Sequence, residues 1–191
     1  MTDVRPYLNQ GDPAWRNVKA GRSRSRTIGQ VGCVLTAYAQ ALRQLGIDPA
    51  ATPVTVQRRA LELWDGREQT APFSGNTAAA FQDRLAAANG LTVGDRVNII
   101  EGQRLWGELV GAFFGDGLCL MHVDSRDDDV DEPNHWVLAI RLEGQGDDAV
   151  IVYADPDGGR EGRMPLRTLQ APSPTGKPYR VQGVRRLRRR Q

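Results

Sequence analysis

The hydrophobic period of this chain changes once, near residue 118, and that change limits the folds open to it. Before it, apolar residues recur every three or four positions, as in Leu35, Ala39, Leu42 and Leu45 within residues 34–45 (VLTAYAQALRQL). That is the spacing of a helix with one buried face, and Gly46 and Pro49 stop it. Further helices are predicted over residues 54–64, over 76–89 with Asn76 as its cap and Gly90 behind it, and over 104–114. After the change come short β-type runs at 118–123 (LCLMHV), 135–142 (HWVLAIRL), 149–153 (AVIVY) and 179–187, the last following a turn-rich connection. Helices first and strands afterwards predict an α+β fold, with helices packed on one antiparallel sheet.

The chain has 191 residues and neither an internal repeat nor a low-complexity linker. That fits one domain over 1–191, near the ~150-residue scale of a compact unit. Within it, residues 1–27 read as irregular chain lying on the core with Trp15 as anchor, and 185–191 as a basic tail. The uncharged stretches are far shorter than the ~20 apolar residues of a membrane helix. The first ten residues lack the apolar run of a secretory signal. The expectation is a soluble, cytoplasmic protein without a membrane partner. Five arginines crowd into residues 185–190 (RRLRRR), and without them the formal charge of +2 becomes −3. The basic pI thus describes one run rather than a basic face, and nucleic acid is not an expected partner.

Cys33 and Cys119 are the two cysteines, and no CxxC or Cys/His cluster accompanies them. Both are expected as free thiols, with no metal and no cofactor. Residues 124–132 (DSRDDDVDE) hold six carboxylates. Asp127, Asp129 and Asp131 alternate as calcium oxygens do, but the glycine and distal glutamate of an EF-hand loop are missing. A solvated loop is preferred there; because it closely precedes His135, the alternative is one rim of a cleft that favours basic substrate residues.

The chemistry begins at Cys33, which follows Gly29 and Gly32 and opens the first predicted helix. Unpaired N–H groups at a helix start favour thiolate over thiol. Lowering a thiol pKa by about four units takes ~5 to 6 kcal/mol, of which the helix end supplies about 1 to 2. An imidazolium is the usual source of the rest. Of the two histidines, His122 lies inside an apolar run, whereas His135 opens a strand beside a loop. His135 is therefore preferred as the base. Asp155 follows the next predicted strand, 149–153, and is the candidate to orient the imidazole. An oxyanion needs donors. Gln10 is preferred over Gln30, because Gln30 shares the tight turn of the nucleophile and is badly placed to point back across a cleft.

Residues 6–15 (PYLNQGDPAW), 27–33 (TIGQVGC), 135–138 (HWVL) and 155–156 (DP), in that order, resemble the bacteriocin-processing (double-glycine leader) peptidase-like proteins. These are papain-like cysteine peptidases. The resemblance implies a papain-like fold with Cys33 as nucleophile, His135 as general base and acid, Asp155 as orienting acid and Gln10 as oxyanion donor. Transporter-linked members carry their glutamine a few residues before the cysteine, whereas Gln10 lies 23 residues before Cys33, as in the stand-alone branch. The resemblance therefore implies thiol hydrolysis of a peptide or related amide, and no particular leader substrate. A catalytically inactive peptide-binding module and an acyltransferase are the alternatives.

Overall fold

A computed structural model of the chain describes residues 7–63, 79–98, 107, 109, 111, 117–124, 135–173 and 178–191. The helices come first: α1 (Ile28–Val31), α2 (Cys33–Gln44), α3 (Pro53–Glu62) and α4 (Ala79–Ala88). Eight strands among the described residues follow: β1 (Leu91–Val93), β2 (Val97–Asn98), β3 (Gly117–Asp124), β4 (His135–Glu143), β5 (Val150–Asp155), β6 (Arg160–Pro165), β7 (Gln170–Pro172) and β8 (Pro178–Arg189). Local chemistry sets the helix ends. Ile47 N–H reaches back to the Leu42 carbonyl (2.9 Å) and Gly46 N–H to that of Arg43 (3.2 Å), with Gly46 at φ +66°. This closure needs a residue that accepts the left-handed region, and it is why α2 stops there. At the start of α3, Thr52 Oγ1 accepts from Thr55 N–H (3.1 Å) and Pro53 takes the first helical position.

The sheet is antiparallel, in the order β1-β8-β3-β4-β5-β6, with β2 and β7 also pairing with β8. Strand β3 is buried along its whole length, because each face carries its own core. Leu118 and Leu120 join Trp136, Leu138 and Leu187 under the helices, where Leu35, Tyr38 and Leu42 of α2 pack against them. Each such side chain, fully removed from water, contributes about 1.5 to 3 kcal/mol. Met121 and Val123 point the other way, into a second cluster with Val137, Ile151, Tyr153, Met164, Tyr179 and Val181. Strand β7 follows β6 through one turn yet pairs with β8 on the far side of β3–β5. The sheet thus curls back on itself around the second cluster.

Two expectations need correction. The turn-rich connection before residue 179 contains two strands, β6 and β7, short and mostly exposed, so their sequences lack an apolar run to betray them. The basic run is not a tail. Residues 185–189 pair with β3 and β1 as the second half of β8. There Leu187 and Arg185 are buried, and Arg185 bonds Gln82 Oε1 (3.1 Å), Asp83 Oδ1 (2.6 Å) and Gly94 O (2.9 Å). Counting charge hides that alternation.

Of the helix predicted over 104–114, only residues 107, 109 and 111 are described, and these are helical. The acidic stretch 124–132 lies outside the described residues apart from Asp124, which is buried at the end of β3. Among the described residues, no helix is long and apolar enough to cross a membrane.

Candidate active site

The nucleophile candidate is held by a joint between two helices. Thr27 N–H is capped by Gln30 Oε1 (3.0 Å), which starts α1, and Gly32 N–H bonds the Ile28 carbonyl (2.7 Å), which ends it. A side chain at Gly32 would force the joint to shift, because its Cβ would lie 2.4 Å from that carbonyl oxygen. Helix α2 then begins at Cys33, and its first turn closes with Thr36 N–H on Gly32 O (2.9 Å). The Val34 N–H, which precedes the ladder, faces the sulfur. Cys33 is half-buried, Cys119 is buried in the second cluster, and both are free thiols.

The base and its carboxylate come from adjacent strands. His135 is the first residue of β4 and Asp155 the last of β5. Leu138 faces Ala154 in the ladder, so one step further Val137 faces Asp155, and His135, two residues before Val137, is its diagonal neighbour on the same sheet face. Long side chains bridge that diagonal. His135 Nε2 and Asp155 Oδ1 lie 2.9 Å apart, and both residues are buried. The other ring nitrogen is left for Cys33, to which His135 is hydrogen-bonded.

These contacts govern protonation. Burial pushes the Cys33 thiol up, but the hydrogen bond and charge of His135, with backbone hydrogen bonds from Trp136 and Val34, bring it below its ordinary value. Burial pushes His135 down, and the Asp155 and Cys33 hydrogen bonds and charges overcome it, raising the imidazole to about 10. Both shifts favour one state, thiolate beside imidazolium, and the two groups titrate as a pair.

Gln10 reaches the same neighbourhood through the irregular N-terminal segment. Its backbone N–H bonds Pro156 O (2.8 Å), just after Asp155, and its Nε2 lies 3.4 Å from Gly29 O, in the turn before Cys33. Its Oε1 is buried without a hydrogen-bond partner among the described residues. Gln30 is spent as the α1 cap. The segment is further tied down by Gly29 N–H on Arg16 O (3.0 Å) and Ile28 N–H on Val18 O (2.8 Å).

Cys33, His135 and Asp155 are thus brought into one chain of contacts, and Gln10 beside the turns that carry the first and last of them. His122 is elsewhere, its ring stacked on Trp136 at 4.0 Å and 8°. Three residues around Asp155 escaped the sequence reading. Asp157 N–H donates to Oδ1 (2.9 Å), Tyr179 O–H donates to Oδ2 (3.0 Å), and Arg160 Nη2 stands 3.8 Å from Oδ2. Only a tyrosine at the opening of the last predicted strand hinted at Tyr179. Among the described residues no group of three or more His, Cys, Asp or Glu side chains is arranged to hold a metal ion. A scan against protein-family models finds no match, and no curated protein matches the chain.

Proposed function

We propose that this chain is a papain-like thiol hydrolase that cleaves a peptide or related amide through an acyl-enzyme on Cys33. One observation carries the reading: a buried carboxylate, an imidazole and a thiol, from three different elements, form a single hydrogen-bonded line at the start of a helix. That is the arrangement a nucleophile and its oriented base require.

In this mechanism the Cys33 thiolate attacks the amide carbonyl carbon. The oxyanion is held by the Cys33 N–H and the Gln10 side-chain amide. The C–N bond breaks as the His135 imidazolium gives its proton to the departing amine, leaving a thioester. Neutral His135 then takes a proton from water, the resulting hydroxide attacks the thioester, and the C–S bond breaks to restore thiolate and imidazolium. Asp155 keeps the imidazole in register throughout and stabilises its charged form.

The test uses iodoacetamide near pH 6 and a diverse peptide library. Cys33 is expected to alkylate rapidly while Cys119 does not, and Cys33→Ala is expected to abolish cleavage with the fold intact. Equal, slow reaction of both thiols overturns the reading, and cleavage that survives Cys33→Ala reassigns the nucleophile.

A further inference from the structure

The Asp155 carboxylate has two ends, and only one of them faces the imidazole. Oδ1 receives His135 Nε2 (2.9 Å) and the Asp157 N–H (2.9 Å). Oδ2 receives the Tyr179 hydroxyl at 3.0 Å, and the nearest cation among the described residues, Arg160, stands 3.8 Å away with its side chain 47% exposed. At that distance and exposure Arg160 acts as a screened charge rather than a hydrogen-bond donor. Tyr179 is different, being 2% exposed and carried by β8, which β3 and β4 separate from β5 in the sheet. Its side chain therefore crosses the interior of the curled sheet to reach Asp155. Pairing of Tyr179 with Ala171 of β7 fixes where it starts. Its ring lies 5.5 Å from that of His135, tilted by 34°, so the one side chain limits the carboxylate and the imidazole together.

We propose that Tyr179 is a positioning residue of the thiol centre, its hydroxyl holding Oδ2 of Asp155 so that Oδ1 stays aimed at His135. The inference rests on the thiol-hydrolase reading above and deepens it. Tyr179 suits the task because burial, and then the charge of Asp155, push its ionisation upward, so the hydroxyl remains a donor. Among the described residues, the ionisable groups facing Asp155 are His135 from β4, Tyr179 from β8, Arg160 from β6, Tyr153 on its own strand and Asp157 in the turn that follows, with Cys33 of α2 beyond the imidazole.

The test is the pH profile of Cys33 alkylation by iodoacetamide in four proteins: wild type, Tyr179→Phe, Asp155→Asn and the double variant. Phenylalanine keeps the ring and removes the hydroxyl. Tyr179→Met serves as a second hydroxyl-free variant if far-ultraviolet circular dichroism shows that phenylalanine is not accepted. Loss of one hydrogen bond to a buried charge should move the Cys33 profile upward by about one pH unit, which slows labelling about tenfold at a given pH on its acid limb. In the Asp155→Asn background, where no carboxylate charge is left to aim at His135, the same change should have a much smaller effect. Equal slowing in both backgrounds means a general packing role and overturns the proposal. A Tyr179→Phe profile superimposable on a fast wild type also overturns it, while leaving the thiol-hydrolase reading in place. A wild type that labels no faster at pH 6 than an ordinary thiol sinks that underlying reading, and the positioning role with it.

Discussion

Replacing Asp155 by asparagine removes one negative charge and leaves the shape of the site almost unchanged. The amide oxygen can still accept from His135 Nε2 and the Asp157 N–H, and its NH2 can donate to Tyr179, whose hydroxyl can turn to accept. The fold should therefore persist. What disappears is the charge assistance to an imidazole that burial alone would push down and that now stands at about 10. A hydrogen bond to a charged partner is worth about 1.5 to 3 kcal/mol, so the equilibrium constant for the thiolate–imidazolium pair should fall about 10- to 150-fold and the acid limb of the Cys33 profile should move up by about one to two pH units. The assay follows carbamidomethylation of the Cys33 peptide by mass spectrometry from pH 4 to 9, with the buried Cys119 as internal control. Slower labelling at acidic pH that recovers as pH rises is the expected result. An unchanged profile in a folded Asp155→Asn protein would refute the argument that this carboxylate supports the ion pair.

Three further outcomes follow from the same geometry. His135, raised when folded, adds stability that is complete below its unfolded value near 6.5 and lost as pH rises through about 10, whereas Cys33, lowered when folded, adds stability that is complete above its unfolded value near 9.0 and lost as pH falls through its folded one. Thermal melts compared with a Cys33→Ala, His135→Gln protein should therefore show a wild-type advantage that is level where the two opposite slopes overlap below pH 9.0 and shrinks as pH rises from 9.0 toward 10; an advantage that keeps growing above pH 9.0 would contradict the paired assignment. Gly32→Ala places a methyl 2.4 Å from the Ile28 carbonyl, and urea unfolding should report a loss of about 1 to 3 kcal/mol, with Cys33 labelling slowed as the joint shifts. Gln10→Ala should lower kcat about 10²- to 10³-fold on any peptide the wild type cleaves, while leaving the alkylation profile within twofold of wild type. A lost profile would make Gln10 a structural tie instead.

Much of this molecule is written in neighbouring residues. The three-to-four spacing through Leu35, Ala39 and Leu42 predicts α2, whose observed limits, Cys33–Gln44, differ from the predicted 34–45 by one residue at each end. The short β-type apolar runs at 118–123 and 135–142 predict β3 and β4, and a helical half followed by a stranded half predicts α+β. Cys33 at a helix start and His135 at a strand start are legible for the same reason, since both are properties of a short window. The remainder depends on which strand lies beside which. Strands β6 and β7 are half-exposed and carry no apolar run, and Arg185 reads as one more charge until β8 is seen to bury it between Gln82, Asp83 and Gly94. The contact between His135 and Asp155 needs the register of β4 on β5, and that between Tyr179 and Asp155 needs the sheet to curl until β8 faces β5 across the second cluster. Helix and strand periods arise from residues a few positions apart, so a sequence displays them. Register and curl arise from the summed packing of side chains far apart along the chain, so only the folded structure decides them.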